Sequence, residues 1–263
     1  MHTDLFDRYL ARQSAIHLLD PRTKVVTATL FILSNVLLPD GAWLAFLLSF
    51  VALLLGNWLA GLGFGYTLKR SFVALPFVLA AITSIFALPG QAIGALDLGP
   101  WRLVATDAGL VRFASIVIRS WLSVQIAILL TATTQFPDLA HALRHLHVPA
   151  ILVAIISFMY RYLFVLTDEA LRLMRAREAR SAHLTETRHK PPLTWRAKMT
   201  GNMVGQLFLR SYERSERVYA AMLARGYNGQ LLTLNPHHLD FRDWAFVSLA
   251  GFVMLIFQII ARW

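Results

Sequence analysis

Six apolar runs divide the chain: Val25–Leu38, Ala42–Ala60, Ser71–Leu88, Leu110–Thr134, Val148–Tyr160 and Trp244–Ala261. A helix needs about 20 such residues to cross the hydrocarbon. The first run reaches that length only when counted from Pro21. Asp20 is a good N-cap there, proline suits the first helical position, and Arg22 and Lys24 can reach the interface. The second, third, fourth and sixth runs read as spans. The fifth has 13 charge-free residues before Arg161, which suits a buried or interfacial helix better than a crossing. The pattern therefore predicts an all-α, polytopic membrane protein with about five transmembrane helices.

Polar segments punctuate these runs. Pro39-Asp40-Gly41 is a tight turn, Gly61-Leu62-Gly63-Phe64-Gly65 leads to the basic pair Lys69-Arg70, and Pro89-Gly90 closes the third run. The loop Gln91–Gly109 sets Asp97 and Asp107 against Arg102, which suits the outer side. Two long helices are expected between the fourth and last spans, about Pro149–Ala182 and Trp195–Arg225, parted by Thr185–Thr194 with Pro191-Pro192. This organises the chain as a membrane domain over 1–134, a helical cytoplasmic insert over 135–242 and a last span over 243–263.

In the first long helix Asp168 and Glu169 precede Arg172 and Arg175, the favoured order for pairs on a helix surface. A solvated face accounts for those arginines, but poorly for Leu171 and Met174 beside them. The second carries Gly201-Asn-Met-Val-Gly205, a spacing that admits a close neighbour. Gly226 falls where a C-cap is expected, leaving Arg225 on the last turn. Ala179-Arg180-Ser181 and Ala224-Arg225-Gly226 thus form two arginine-centred ends. Guanidinium gives a permanent charge and a fork of donors suited to carboxylates.

Composition narrows the class further. The chain is 57% hydrophobic and only 15% charged over 263 residues, too apolar for an ordinary water-soluble domain. It has no cysteine, which removes disulfides, thiolate metal sites and cysteine nucleophiles. Met1–Asp20 lacks the basic-then-apolar order of a cleavable signal peptide, so the first apolar segment is expected to direct insertion. The net charge of +10 is concentrated: 15 of the 25 Lys and Arg lie between Gln135 and Arg242. In a membrane protein such a block reads as a cytoplasmic segment rather than a nucleic-acid site. That ordering puts the amino terminus inside and the carboxyl terminus outside, with Trp244 and Trp263 at the interfaces. No Gly-x-x-x-x-Gly-Lys-Ser/Thr occurs, so a Walker-type ATPase is excluded.

These features are distributed as in one known family. Leu19-Asp20-Pro21-Arg22-Thr23-Lys24, Val148-Pro149, Tyr160-Arg161-Tyr162, Glu169, Arg210-Ser-Tyr-Glu213-Arg214 and Ala221-Met-Leu-Ala224-Arg225-Gly226-Tyr227 resemble the transmembrane T component of energy-coupling-factor transporters, most closely the cobalt-type CbiQ branch. The resemblance implies a scaffold that docks two ATP-binding subunits at Ala179, Arg180, Ser181 and at Ala224, Arg225, Gly226. Ser181 stands where the family usually has glycine. Arg161, Glu169, Arg210, Glu213 and Arg214 would support the coupling helices. It further implies a CbiM-like substrate-capture subunit in the membrane, with a small accessory membrane subunit in some assemblies. ATP and magnesium would belong to the partner ATPases, with no cofactor, catalytic residue or metal ligand in this chain. The setting would be the cytoplasmic membrane of a prokaryote, with cobalt as cargo, and nickel or a vitamin as the alternatives.

The residues offer two rival chemistries. His141 and His145, i and i+4, share a helical face, and His147, His183, His189, His237 and His238 lie in the same inside segments, but spacing fixes no third metal ligand. Arg119 and Gln125 sit within a membrane helix and either line a path or pair inside the bundle. A membrane-embedded hydrolase would need a Ser/His/Asp or paired-carboxylate motif inside a span, and the sequence presents none.

Overall fold

The computed structural model describes residues 9–12, 14–98, 101–181, 192–229 and 239–263. The chain divides into two units, one gathering Asp7–Leu146 with Pro236–Trp263, the other His147–Asn235. The first unit is a helical bundle. Its α1, Pro21–Val36, begins as the sequence predicts: Pro21 opens the helix and the Asp20 carboxylate accepts the Arg22 N–H at 2.8 Å. After α1 the chain reverses through Gly41, whose φ of 83° is left-handed and whose N–H donates to Ser115 Oγ at 3.0 Å. The next helix, α2, spans Trp43–Leu59.

The third apolar run is not one straight helix. It is built from α3 (Phe64–Arg70), a 3-10 turn (Ser71–Ala74), α4 (Leu75–Ala81) and α5 (Ser84–Ala87). Pro76 supplies the cause: it has no N–H to give, and its ring crowds the carbonyl one turn back, at Phe72. The basic pair Lys69-Arg70, expected before the helix, lies within it, where Arg70 sits 4.0 Å over the Tyr66 ring.

The expected loop after it contains a hairpin. Strands β1 (Ala92–Leu98) and β2 (Trp101–Thr106) pair antiparallel, with Leu98 opposite Trp101. From β2 the chain enters α6, Asp107–Thr133, capped by Thr106 Oγ1, which accepts the Gly109 N–H at 3.1 Å. Gly109 is needed there: a Cβ at that position would stand 2.3 Å from the Ile85 carbonyl oxygen. A short α7, Phe136–His145, follows.

The second unit holds α8, Ala150–Ser181, and α9, Leu193–Ala224. The chain returns to the first unit in α10, Phe241–Arg262, opened by an Asp240/Asp243 capping box.

Helix α6 is the axis of the bundle, packing against α1, α2, α4 and α5, while α10 packs on α1 and α2. Leu122 is fully enclosed among Phe31, Phe46, Leu53 and Met254, and a second cluster joins Ile16, Ala60, Leu62, Leu129 and Ala132. Outward positions stay apolar, as Trp58, Phe72, Leu249 and Phe252 show. A water-soluble bundle reverses that pattern, and a lipid-facing one does not.

By length and composition, Gly65–Phe86, α6, Ala150–Arg180 and α10 can each cross a membrane, and α2 is a shorter apolar helix. The chain is thus a polytopic, helical membrane protein. Measured along α8 rather than along its charge-free run, the fifth apolar segment is long enough to span: Arg161 is the only charge between Ala150 and Thr167.

Candidate functional site

Polar groups on the membrane helices tie the bundle together. Arg119 Nη2 donates to the Leu38 carbonyl at 2.6 Å and to Asp40 Oδ1 at 2.7 Å, fastening α6 to the α1–α2 turn. Gln125, nearly fully buried, donates through Nε2 to Ser71 Oγ at the 3-10 break. Both act as internal pairs rather than as the lining of a path. His141 and His145 do share a face of α7, with ring centroids 4.7 Å apart, and His141 Nε2 lies 3.5 Å from Arg22 Nη2. Among the described residues no group of three His, Asp or Glu side chains is placed to hold a metal ion. His183, His189, His237 and His238 lie outside the described residues.

The second unit is built differently. On α9 the partly shielded positions are Trp195, Met199, Met203, Leu207, Ser211, Arg214, Val218 and Met222, a row with steps of four and three that forms one narrow stripe. No residue of α9 is buried. Helix α8 meets this stripe in antiparallel sense. Ile151, Phe158 and Leu166 share a cleft with Phe208, Ser215 and Met222, while Arg172 and Arg180 share another with Trp195 and Met203. The helices therefore cross near their middles and part on both sides, leaving clefts of about 670 and 690 Å³.

The crossing carries an ion pair. Arg210 Nη1 contacts Glu169 Oε1, whose side chain is 15% exposed against 54% for the arginine. Two of the five expected supporting residues thus meet. Glu213 instead pairs along its own helix with Arg217 at 4.0 Å, Arg214 lines the first cleft, and Arg161 is exposed on α8. The glycine pair Gly201 and Gly205 lies off the stripe, with nothing within 4 Å of where a Cβ would stand. That spacing does not serve the α8 contact.

Arg225 ends α9. Gly226, at φ 80°, donates its N–H to the Leu223 carbonyl at 2.9 Å, and Tyr227 donates to Met222 at 3.0 Å. This is a Schellman ending, and its paired residues Met222 and Tyr227 both line the apolar cleft. Arg180 lies in the last helical residues of α8 and is exposed, as is Arg225. From the Glu169–Arg210 crossing, Arg180 is 11 residues away and Arg225 is 15, or about 17 and 22 Å at 1.5 Å per residue, in opposite directions.

A helical bundle with apolar outward positions, joined in one chain to a pair of crossed helices with charged tips, defines a component of a helical membrane protein rather than a soluble domain. Comparison with known proteins agrees. The CbiQ family, described as cobalt transport protein, matches residues 12–235. The chain belongs to this family, as a transmembrane component of the energy-coupling-factor type. It is 29% identical to the energy-coupling factor transporter transmembrane protein EcfT of Lacticaseibacillus paracasei, over 95% of each chain. The cobalt transport protein CbiQ of Rhodobacter capsulatus is 29% identical over 57% of this chain and 59% of its own. The nickel permease LarQ of Lactiplantibacillus plantarum is 32% identical over 48% and 43% respectively.

Proposed function

We propose that this chain is the non-catalytic scaffold and coupling subunit of an ATP-driven uptake transporter, with cobalt ions as cargo. Two ATP-binding subunits, which hold ATP and magnesium, dock at Arg180 and Arg225, and a CbiM-like membrane subunit captures the substrate, in some assemblies with a small accessory subunit. The observation that carries this reading is the form of α8 and α9: two crossed helices with one mutual stripe and an exposed arginine at the far end of each. When the ATPases close, each draws on one tip. The pair pivots where Glu169 meets Arg210, and the angle between the helices changes. That movement reaches the membrane bundle and releases the cargo inside.

Docking must shield the arginines, since an exposed ion pair gives only about 0–1 kcal/mol whereas loss of one partner from a buried pair costs about 3–5 kcal/mol. Although α8 is long enough to cross, a crossing would turn the arginine block from Arg172 to Arg225 outward against the charge rule. The cationic insert over 135–242 therefore sits in the cytoplasm, with the amino terminus inside and the carboxyl terminus outside the cytoplasmic membrane. Cobalt is favoured by the family description, and the partial similarity to LarQ supports nickel as the second reading.

Arg180→Glu with Arg225→Glu is expected to abolish co-purification of the ATPase subunits while leaving the protein in the membrane. Undiminished capture by the double variant contradicts the assignment. Uptake assays with labelled cobalt and nickel in cells carrying the complete transporter separate the two cargoes.

A further inference from the structure

At the end of the bundle where α1 and α10 begin and α6 finishes, a polar cleft of about 350 Å³ opens beside Asp20, Lys24, Asp138, Asp240 and Asp243. A second, apolar cavity of about 280 Å³ runs between α1, α2, α6 and α10, past Ala28, Phe31, Ala52 and Ala250. The two share Leu19, Lys24 and Thr133 as a common wall. For scale, an engineered apolar cavity of about 150 Å³ holds benzene.

We propose that these joined cavities bind one phospholipid whose head group carries a primary ammonium, the phosphatidylethanolamine class, enclosing the head group and the first part of an acyl chain while the rest extends into the bilayer. The groups that would meet it are ranked along α1 in the order in which such a lipid presents its own. Asp20 comes first; its side chain is only 2% exposed, and Oδ2 has no hydrogen-bond partner although it is buried. Asp138, across the cleft, makes no side-chain hydrogen bond among the described residues. These carboxylates face the ammonium. Asp243 is otherwise engaged: its oxygens accept the N–H groups of Asp20 and Asp240, each at 3.0 Å.

One turn on, Lys24 Nζ donates to the His17 and Thr133 carbonyls at 3.0 and 3.2 Å, leaving one of its three donors for a phosphate oxygen. Thr27 follows on the cavity wall, its Oγ1 buried without a partner and placed to donate to an ester carbonyl. Beyond it lie Ala28 and Phe31, where only an acyl chain is matched. Asp20 to Thr27 covers seven residues, about 10 Å of helix. Four carboxylates against Lys24 in the cleft lining disfavour a purely anionic head group. Unpartnered buried polar atoms are costly, and the lipid would satisfy two of them.

The test is native mass spectrometry of the full chain from nanodiscs holding equal amounts of phosphatidylethanolamine and phosphatidylglycerol with identical chains. One retained phospholipid is expected, with the amine lipid enriched about threefold or more. Asp138→Asn should bring that ratio towards parity while retention persists, and Ala52→Phe, which fills the apolar cavity, should cut retention about tenfold. If Ala52→Phe does not fold, as judged by gel filtration, Thr27→Val is measured in its place and should lower retention in the same direction. No retained lipid, equal or greater retention of phosphatidylglycerol, or retention unchanged in the cavity variant that folds would overturn the proposal.

Discussion

The two units of this chain treat burial in opposite ways. In the membrane bundle Leu122 and Ser115 are wholly enclosed, and even charged groups such as Lys24 and Asp243 are shut away with partners. Helix α9, with 32 residues, encloses none of them and leaves Phe208, Leu209, Tyr212 and Tyr219 more than half exposed. A self-sufficient scaffold needs its own closed interior. A lever needs one pivot and surfaces that other proteins complete. With the coupling role proposed for α8 and α9, the contrast separates stability from function along this sequence, so that variants in one unit should affect folding and variants in the other should affect assembly.

The largest effect is expected from Asp243→Ala. It strips the acceptors of two N–H groups at the junction of α1 and α10, that of Asp20, which is buried, and that of Asp240, which is partly so. Each unsatisfied donor costs about 1–3 kcal/mol. Thermal unfolding in detergent should show a midpoint lowered by several degrees, and ATPase capture by the protein that remains folded should be normal. Gly109→Ala comes next, because its Cβ would overlap the Ile85 carbonyl and force α5 from α6, at about 1–3 kcal/mol.

In the other unit Glu169→Gln should cost under about 1 kcal/mol, since Arg210 is largely exposed and its charge remains solvated. Its consequence should appear in transport, as lower uptake at unchanged thermal stability. If Glu169→Gln unfolds the chain while Gly109→Ala leaves it intact, the division of labour between the units is wrong.

The smallest effect concerns pH. His17, between the Leu10 carbonyl at 3.0 Å and Ser14 Oγ at 2.7 Å, is held below its ordinary value of 6.5 mainly by burial. The Leu10 carbonyl opposes that shift, and Lys24 and Arg12 reinforce it. A histidine kept neutral by the fold takes up its proton more readily when unfolded. Its contribution is therefore intact above about pH 6.5 and shrinks as pH falls below that value. The melting midpoint should drop modestly between pH 7.5 and 5.5, with a shallower slope in His17→Gln.

Much of this arrangement is legible in the sequence because the signals are local. Asp20-Pro21 marks the start of α1, Pro39-Asp40-Gly41 the following turn, and Gly226 the end of α9, each through a backbone preference that a few residues express. The hairpin of β1 and β2 is masked by Asp97, Arg102 and Asp107, whose charges give the segment a loop-like pattern, although Gly99-Pro100 between two mostly apolar segments is a turn signal in the sequence. The break at Ser71–Ala74 was hidden by uniform hydropathy, which reports burial in lipid but not helix continuity, while Pro76 carried the missing information. Helix α7 is legible in the proline at its start and in Arg144 and His145 of its last turn, although its ten residues hold no apolar run. The pairing of Glu169 with Arg210 joins residues 41 apart, and no local pattern specifies it.

The proposed pivot can be tested directly, because the sequence has no cysteine to interfere with labelling. Spin labels at Arg175→Cys on α8 and Ala221→Cys on α9 leave Arg180 and Arg225, the proposed docking residues, in place, and double electron–electron resonance reads the distance between the labels in the assembled transporter. With ATP trapped at the ATPase subunits, the distance distribution should shift by several ångströms, and Arg180→Glu with Arg225→Glu should remove the shift. The same distribution with and without nucleotide, in a transporter that still imports its cargo, would contradict the pivot.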